Sequence, residues 1–369
     1  RYMGITPEDT APGYEPHAVD LTFNNRYGVC RDKAALLAAM LRLADIPAYP
    51  VLIHAGAKMD GEVPLPFFNH AVTAVDKPGG GYVLMDPTDE NARDLFPAYL
   101  CNRSYLVARP EGETLLVSDV YPAENNMARI VSEGALDGDG TLLLKTRMIF
   151  EGINDNAYRG HLVRQKDEQR RRFFEKALKS GLPGAEVIEC RITPEDLQDT
   201  ETPLEVALTV RVPEYPVRGN GLDQAALPWL GMTFGYANFV IRQTGLRERR
   251  YTLDTGVTCG IEERVKVDIN AALGAPHAVP GALAIDRSGV RFSMEQDAAG
   301  GVLDGTMRYM INSPEFSPRE YLDLKRSLSE IEQADRHVPL FAAKEAFTHD
   351  VEILRKDSDV YLDSLAESR

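Results

Sequence analysis

Cationic side chains are in deficit in this chain. Lys and Arg number 41 against 56 Asp and Glu over 369 residues, a net charge of −15. With no basic surface overall, nucleic acid is excluded as the default partner. Cysteine is scarce and scattered. Cys30, Cys101, Cys190 and Cys259 lie far apart, with no Cys-x-x-Cys and no Cys/His cluster, which argues against a zinc site. A chain of this size does not need a disulfide scaffold, and four cysteines do not fix the redox compartment. Apolar runs stay short of the ~18 residues that would suggest a membrane-spanning helix. The one run of three glycines, residues 79–81, lies between two strand patterns, so it reads as a turn and not as a phosphate-cradling loop. Internal repeats and low-complexity tracts are lacking.

What the chain does have is apolar content, 44% of its residues, enough for two or three domains with their own cores. It is organised around residues 26–46. After Cys30 the composition is strongly helical, rich in Ala, Leu, Met, Arg and Lys. Leu36, Leu37, Met40, Leu41 and Ala44 fall at the spacing of one buried helix face. Gly28 sits where a chain turning into a helix needs a permissive backbone. Cys30 is therefore expected in the first turn of a helix, where unpaired N–H groups and the dipole favour a thiolate.

Two later stretches turn this cysteine from a packing residue into a candidate nucleophile. Phe67-Phe68-Asn69-His70-Ala71-Val72 puts a histidine at the start of an alternating strand. Tyr82-Val83-Leu84-Met85-Asp86-Pro87-Thr88 puts an aspartate at the end of another. The glycine turn between them predicts a hairpin with His70 and Asp86 near the same end. Nucleophile, base and orienter are then all present.

These residues carry a family resemblance. Gly28-Val29-Cys30-Arg31-Asp32, Leu36-Leu37, Ile46-Pro47-Ala48, Asn69-His70-Ala71 and Asp86-Pro87-Thr88 resemble the transglutaminase-like superfamily. That superfamily has a papain-like Cys, His, Asp arrangement in this chain order. The chain looks most like its bacterial subgroup with flanking β-rich domains of unknown role. The resemblance covers about residues 1–122. It implies catalytic Cys30, His70 and Asp86, a peptide or protein substrate, no cofactor, and a periplasmic or secreted location. Arg31 and Asp32 follow the cysteine where eukaryotic transglutaminases carry an aromatic residue, which counts against protein cross-linking. Asp32, Asn69 and Tyr27 are candidates to support the site. Asp32 reads first as a helix cap and second as a tuner of the cysteine. Asn69 either orients His70 or closes a turn. The remaining histidines, His17, His54, His161, His277, His337 and His349, sit in no comparable motif.

The expected fold class is α+β: a papain-like core over residues 1–122, then an antiparallel β-sandwich with one inserted helix over 123–316. Residues 317–369 read as a helix and linker towards a further domain. The chain starts at Arg1 without methionine or a signal-peptide pattern. It reads as an internal segment whose first domain lacks part of its N-terminal side. In the second unit, residues 129–136 and 141–150 flank an Asp-Gly-Asp-Gly turn, and 290–296 and 301–311 form another hairpin pattern. Strand patterns at this spacing suggest the sandwich. The inserted helix is expected over 162–179, with a basic face (Arg164, Lys166, Arg170, Arg171, Arg172, Lys176, Lys179) that reads as solvated. Residues 213–250, with the single Trp229, carry no clear pattern. Ser317-Pro318 is a helix start, followed by Tyr321, Leu324, Leu328 and Ile331 at helical spacing. Residues 351–354 read as a strand.

The chemistry expected is acyl transfer on amide bonds, hydrolytic as in a peptidase or amidase. The alternatives are transfer to an amine, as in a transglutaminase, and a non-catalytic binding scaffold.

Overall fold

A computed structural model describes residues 2–3, 13–63 and 65–344. Helices α1 (Val19–Asn25) and α2 (Cys30–Leu43) precede a five-stranded sheet of β1 (Ala48–Ile53), β2 (His70–Asp76), β3 (Tyr82–Met85), β4 (Ser104–Val107) and β5 (Leu116–Val117). Its order is β3-β2-β1-β4-β5, with every neighbour antiparallel. The glycine turn closes the β2–β3 hairpin as expected. Gly79, Gly80 and Gly81 all take positive φ, a conformation that L side chains resist. Thr73 pairs with Met85, so Asp86 leaves β3 near the end where His70 begins β2.

Helix α2 lies on β1 and β2, but not on the face its large residues suggest. Ala34 and Ala38 are its fully buried apolar residues, whereas Met40 is 53% exposed. The helix sits so close to the sheet that the Thr73 hydroxyl donates to the Ala34 carbonyl at 3.0 Å. At that separation only small side chains fit beneath the helix, and leucines are pushed to its flanks.

The second unit is built on one eight-stranded sheet. Its strands are β6 (Met127–Leu136), β7 (Leu142–Phe150), β8 (Glu186–Thr193), β9 (Leu204–Val212), β12 (Cys259–Asp268), β14 (Leu283–Arg287), β15 (Val290–Ala299) and β16 (Val302–Ile311). Their order is β14-β15-β16-β12-β6-β7-β9-β8. Short strands β10 (Leu222–Gln224), β13 (Pro276–Ala278) and β18 (Leu340–Ala342) form a small separate sheet, and β11 (Leu253–Asp254) pairs with β17 (Glu315–Phe316). The expected sandwich does not form among the described residues. The apolar face of the large sheet is covered by α3 (Ile153–Leu162), α4 (Asp167–Gly181), α5 (Gly231–Phe234), α6 (Ala237–Ile241) and α7 (Pro318–Asp335). The other face presents Lys145, Arg147, Arg264 and Lys266 to solvent. Alternating strands record that one face is buried and not what buries it. The sheet is also mixed, since β6 and β12 run parallel.

Two helices stand where one was expected. The chain breaks between Leu162 and Asp167, and the Lys166 N–H is received by the Gln169 side chain in the new first turn. On α4, Arg170 pairs with Asp167 and Arg172 with Glu168 along the helix, whereas Arg171 reaches across to the Val187 carbonyl of β8. Residues 213–250, unassigned from sequence, supply β10, α5 and α6. Helix α7 starts where Ser317 and Glu320 cap each other, and it buries Tyr321, Leu324 and Leu328 against the sheet. The strand expected at 351–354 and His349 lie outside the described residues.

Candidate active site

The head of α2 is assembled by Asp32. Its carboxylate accepts the Val29 N–H at 3.1 Å, the His17 N–H at 3.0 Å and the His17 ring Nδ1 at 3.0 Å. One carboxylate thus satisfies an open helix end and ties down the segment before α1. Burial works against the charge, but the His17 contacts and the Val29 N–H outweigh it and hold the carboxyl below its ordinary value. Capping is therefore what Asp32 does, and His17 is its partner. Gly28 is needed for space and not for backbone freedom: a Cβ there would lie 2.8 Å from the Asp32 Cβ and 3.1 Å from Thr22 Cγ2.

Cys30, half-buried, opens the helix. Its sulfur faces the His70 ring, the Ala71 N–H and the Tyr2 hydroxyl, the groups that act on its charge. His70 Nε2 meets Asp86 Oδ2 at 2.9 Å, which leaves Nδ1 for the thiol. The other Asp86 oxygen accepts the Thr88 N–H at 2.8 Å and the Thr88 hydroxyl at 2.6 Å. The Asp86 N–H donates to the Leu95 carbonyl at 2.8 Å. The Cys30 side chain therefore lies beside a His70 ring that is hydrogen-bonded to Asp86.

The charges follow from these contacts. Burial raises the Cys30 thiol, but the His70 ring, the Ala71 N–H and the Tyr2 hydroxyl outweigh it, and the net shift is downward. Burial opposes the imidazolium, yet Asp86 and Cys30 carry His70 up to about 9. Burial also opposes the Asp86 charge, and His70 and Thr88 hold that carboxyl low. The other cysteines differ in kind. Burial pushes Cys101 and Cys259 up to about 12 and raises Cys190. Cys30 alone of the four is turned towards the thiolate.

The supporting candidates separate. Asn69 closes a turn: its Oδ1 accepts the Ala55 N–H at 2.7 Å, bridging the loop after β1 to the start of β2. Tyr27 lines a surface hollow beside α1 with Thr22, Phe23, Asn24, Arg26, Lys33 and Leu36. Sequence reading passed over two residues. The Asp-Pro-Thr pattern, in which a hydroxyl two residues on can bond the aspartate, was the available signal for Thr88. Tyr2 had none, because it reaches Cys30 only through the fold. Among the described residues no group of three or more His, Cys, Asp or Glu is placed to hold a metal ion. No helix among them is long and apolar enough to cross a membrane.

Residues 2–87 match the transglutaminase-like superfamily. The matched stretch contains Tyr2 and all three of Cys30, His70 and Asp86. No curated protein matches the chain. A solved structure from Parabacteroides distasonis ATCC 8503, provisionally named a protease, is 13% identical with a TM-score of 0.48. The alignment covers 88% of this chain and 46% of that one, so this chain spans about half the length of that protein. The transglutaminase-like segment thus takes in α1, α2 and strands β1 to β3, the elements that supply the site.

Proposed function

We propose that this protein is an acyl-transfer enzyme acting on amide bonds of peptides or proteins, with Cys30 as nucleophile, His70 as base and acid, and Asp86 as orienter. The observation that carries this reading is the His70–Asp86 hydrogen bond at 2.9 Å, with Cys30 at the head of α2 beside the same imidazole. The thiolate attacks the amide carbonyl, and the carbonyl π pair moves onto oxygen. The Cys30 backbone N–H, at an open helix end, is a donor for that oxygen. As the intermediate collapses the C–N bond breaks, and His70 passes its proton to the leaving amine. Water then enters with His70 taking its proton, and a carboxylic acid leaves Cys30. We favour hydrolysis over transfer to an amine, because no amine-donor site is legible in the sequence.

The test compares wild type with Cys30→Ala and His70→Ala on a peptide library containing an added primary amine, with products read by mass spectrometry. Shortened peptides mark a peptidase, deamidated side chains an amidase and amine adducts a transglutaminase. Both variants should lose turnover nearly completely, since members of a catalytic unit do not contribute additively. A wild type that gives no product, and whose Cys30 reacts with iodoacetamide no faster than in His70→Ala, would make this chain a scaffold.

A further inference from the structure

The chain carries an excess of acid, −15 overall, yet one stretch of its surface reverses that sign. Residues 242–251, directly after α6, hold Arg242, Arg247, Arg249 and Arg250 against a single acid, Glu248. The stretch lies over the first half of α7. The Leu246 carbonyl receives the Tyr321 hydroxyl at 2.7 Å and also the Lys325 ammonium. The Arg249 guanidinium stands 5.5 Å from the centre of the Tyr321 ring. Lys325 thereby joins the arginines, and Leu322, three residues before it, shares its helix face.

Two properties set this patch apart. Elsewhere arginines find the surplus acid, as Arg147 finds Glu205, Arg287 finds Glu330 and Arg291 finds Asp286. Among the described residues Arg242, Arg247, Arg249 and Arg250 form no ion pair. Two acids at the start of α7 are already engaged, Glu320 by the Ser317 N–H and Asp323 by the Ser288 hydroxyl. The second property is apolar. Tyr251 is 72% exposed, Leu246 56% and Phe239 54%, and Leu322 stands out beside them.

We propose that this patch docks the protein on an anionic lipid surface, with the arginines at the phosphates and the apolar tips among the headgroups. The inference does not depend on the acyl-transfer reading. A guanidinium meets phosphate oxygens with two parallel N–H groups. A negative lipid surface strengthens binding by about fivefold for each basic residue that reaches it. The apolar tips decide the kind of partner. An acidic protein segment would satisfy the arginines and leave Phe239, Leu246 and Tyr251 in water. A bilayer takes both, because aromatic rings settle at headgroup level and leucine just beneath it. The acid elsewhere on the chain does not forbid docking, since charges more than about 8 Å from the surface are largely screened at physiological salt.

The experiment sediments the full chain with vesicles of phosphatidylcholine alone and of phosphatidylcholine mixed with phosphatidylglycerol, at low and high NaCl. Wild type is compared with Arg247→Gln/Arg250→Gln and Leu246→Ser/Tyr251→Ser, and Tm is measured for each. Wild type should bind only the vesicles containing phosphatidylglycerol and should be released by salt. The arginine variant should bind roughly 25-fold more weakly. The serine variant should also bind more weakly, and both should keep their Tm, because the altered side chains are exposed and the Leu246 carbonyl is untouched. Wild type that stays in solution with phosphatidylglycerol vesicles would overturn the proposal, whatever the variants do. So would either variant binding as tightly as wild type. A fluorescent polyglutamate peptide supplies the remaining arm. Capture of that peptide through Arg247 and Arg250 without Leu246 and Tyr251, and without vesicle binding, would assign the patch to an acidic protein instead.

Discussion

His70 meets Asp86 through Nε2, at 2.9 Å, and so keeps Nδ1 for Cys30. The carboxylate fixes which nitrogen holds its proton and which exchanges one. It also raises the imidazolium, with Cys30, to about 9, while the same contacts draw the thiol down. A thiolate beside an imidazolium is then the resting pair, and its two titrations belong to the pair as a whole. Activity should follow a bell. It rises as the lowered thiol ionises and falls through about pH 9, where His70 loses the proton the leaving amine needs. The check is kcat/KM against pH. A plateau extending well above pH 9 would show that a group other than His70 supplies the proton.

Asp32 offers a stability prediction. Asp32→Ala removes the part-buried acceptor of the Val29 N–H and of both His17 contacts. The cost should be about 2–3 kcal/mol in urea unfolding near neutral pH. The folded carboxyl sits below its unfolded value. Its stabilisation is therefore present above the ordinary carboxylate pKa and is lost as pH falls through the lowered one. The gap between wild type and Asp32→Ala should shrink in acid. A gap that stays constant with pH would remove the charge from the explanation.

The loop carrying Asp86 is braced by the second unit. Asn156 on α3 donates to Asp89 at 2.7 Å, and the Tyr99 hydroxyl donates to the same oxygen at 3.0 Å. Arg93 reaches the carbonyls of Thr200 and Glu201. Asn156→Ala cuts one side-chain hydrogen bond, so Tm should move little. If the brace sets the position of Asp86, kcat should fall about tenfold, because small displacements at a catalytic group are costly. Unchanged kcat would reduce the brace to simple docking.

Far from the site, Glu263 on β12 is buried and accepts the N–H groups of Leu230 and Gly231, each at 2.7 Å. Burial pushes its carboxyl up to about 7 in spite of these donors. Its folded pKa is raised, so between the ordinary carboxylate value and about 7 the folded state holds more protons than the unfolded chain. Stability should therefore fall as pH rises through that interval and level off above it. Glu263→Gln cannot ionise and should flatten this slope. It should also be less stable throughout, because an amide offers one oxygen to two N–H donors. Urea midpoints between about pH 5 and about pH 8 test both parts. Equal slopes in the two proteins would refute the assignment.

Local chemistry determined much of what was legible in this sequence. The helix after Cys30, the glycine turn between the His70 and Asp86 strands, the Ser317 cap and the hairpins of the second unit each rest on neighbouring residues. For that reason they survive into the fold. The chain order of Cys30, His70 and Asp86 was readable for the same reason, since each lies at the end of an element its neighbours define. Tertiary structure decided the rest. Alternation along β7 and β9 shows one wet and one dry face, but helices and not a second sheet fill the dry side, and nothing in a period of two distinguishes them. Close contact with β1 and β2 made Ala34 and Ala38 the buried stripe of α2, against the pull of its leucines. Tyr2 reaches Cys30 because the chain start pairs with Gly28. A contact between segments so distant leaves no periodicity to read, only a meeting in space.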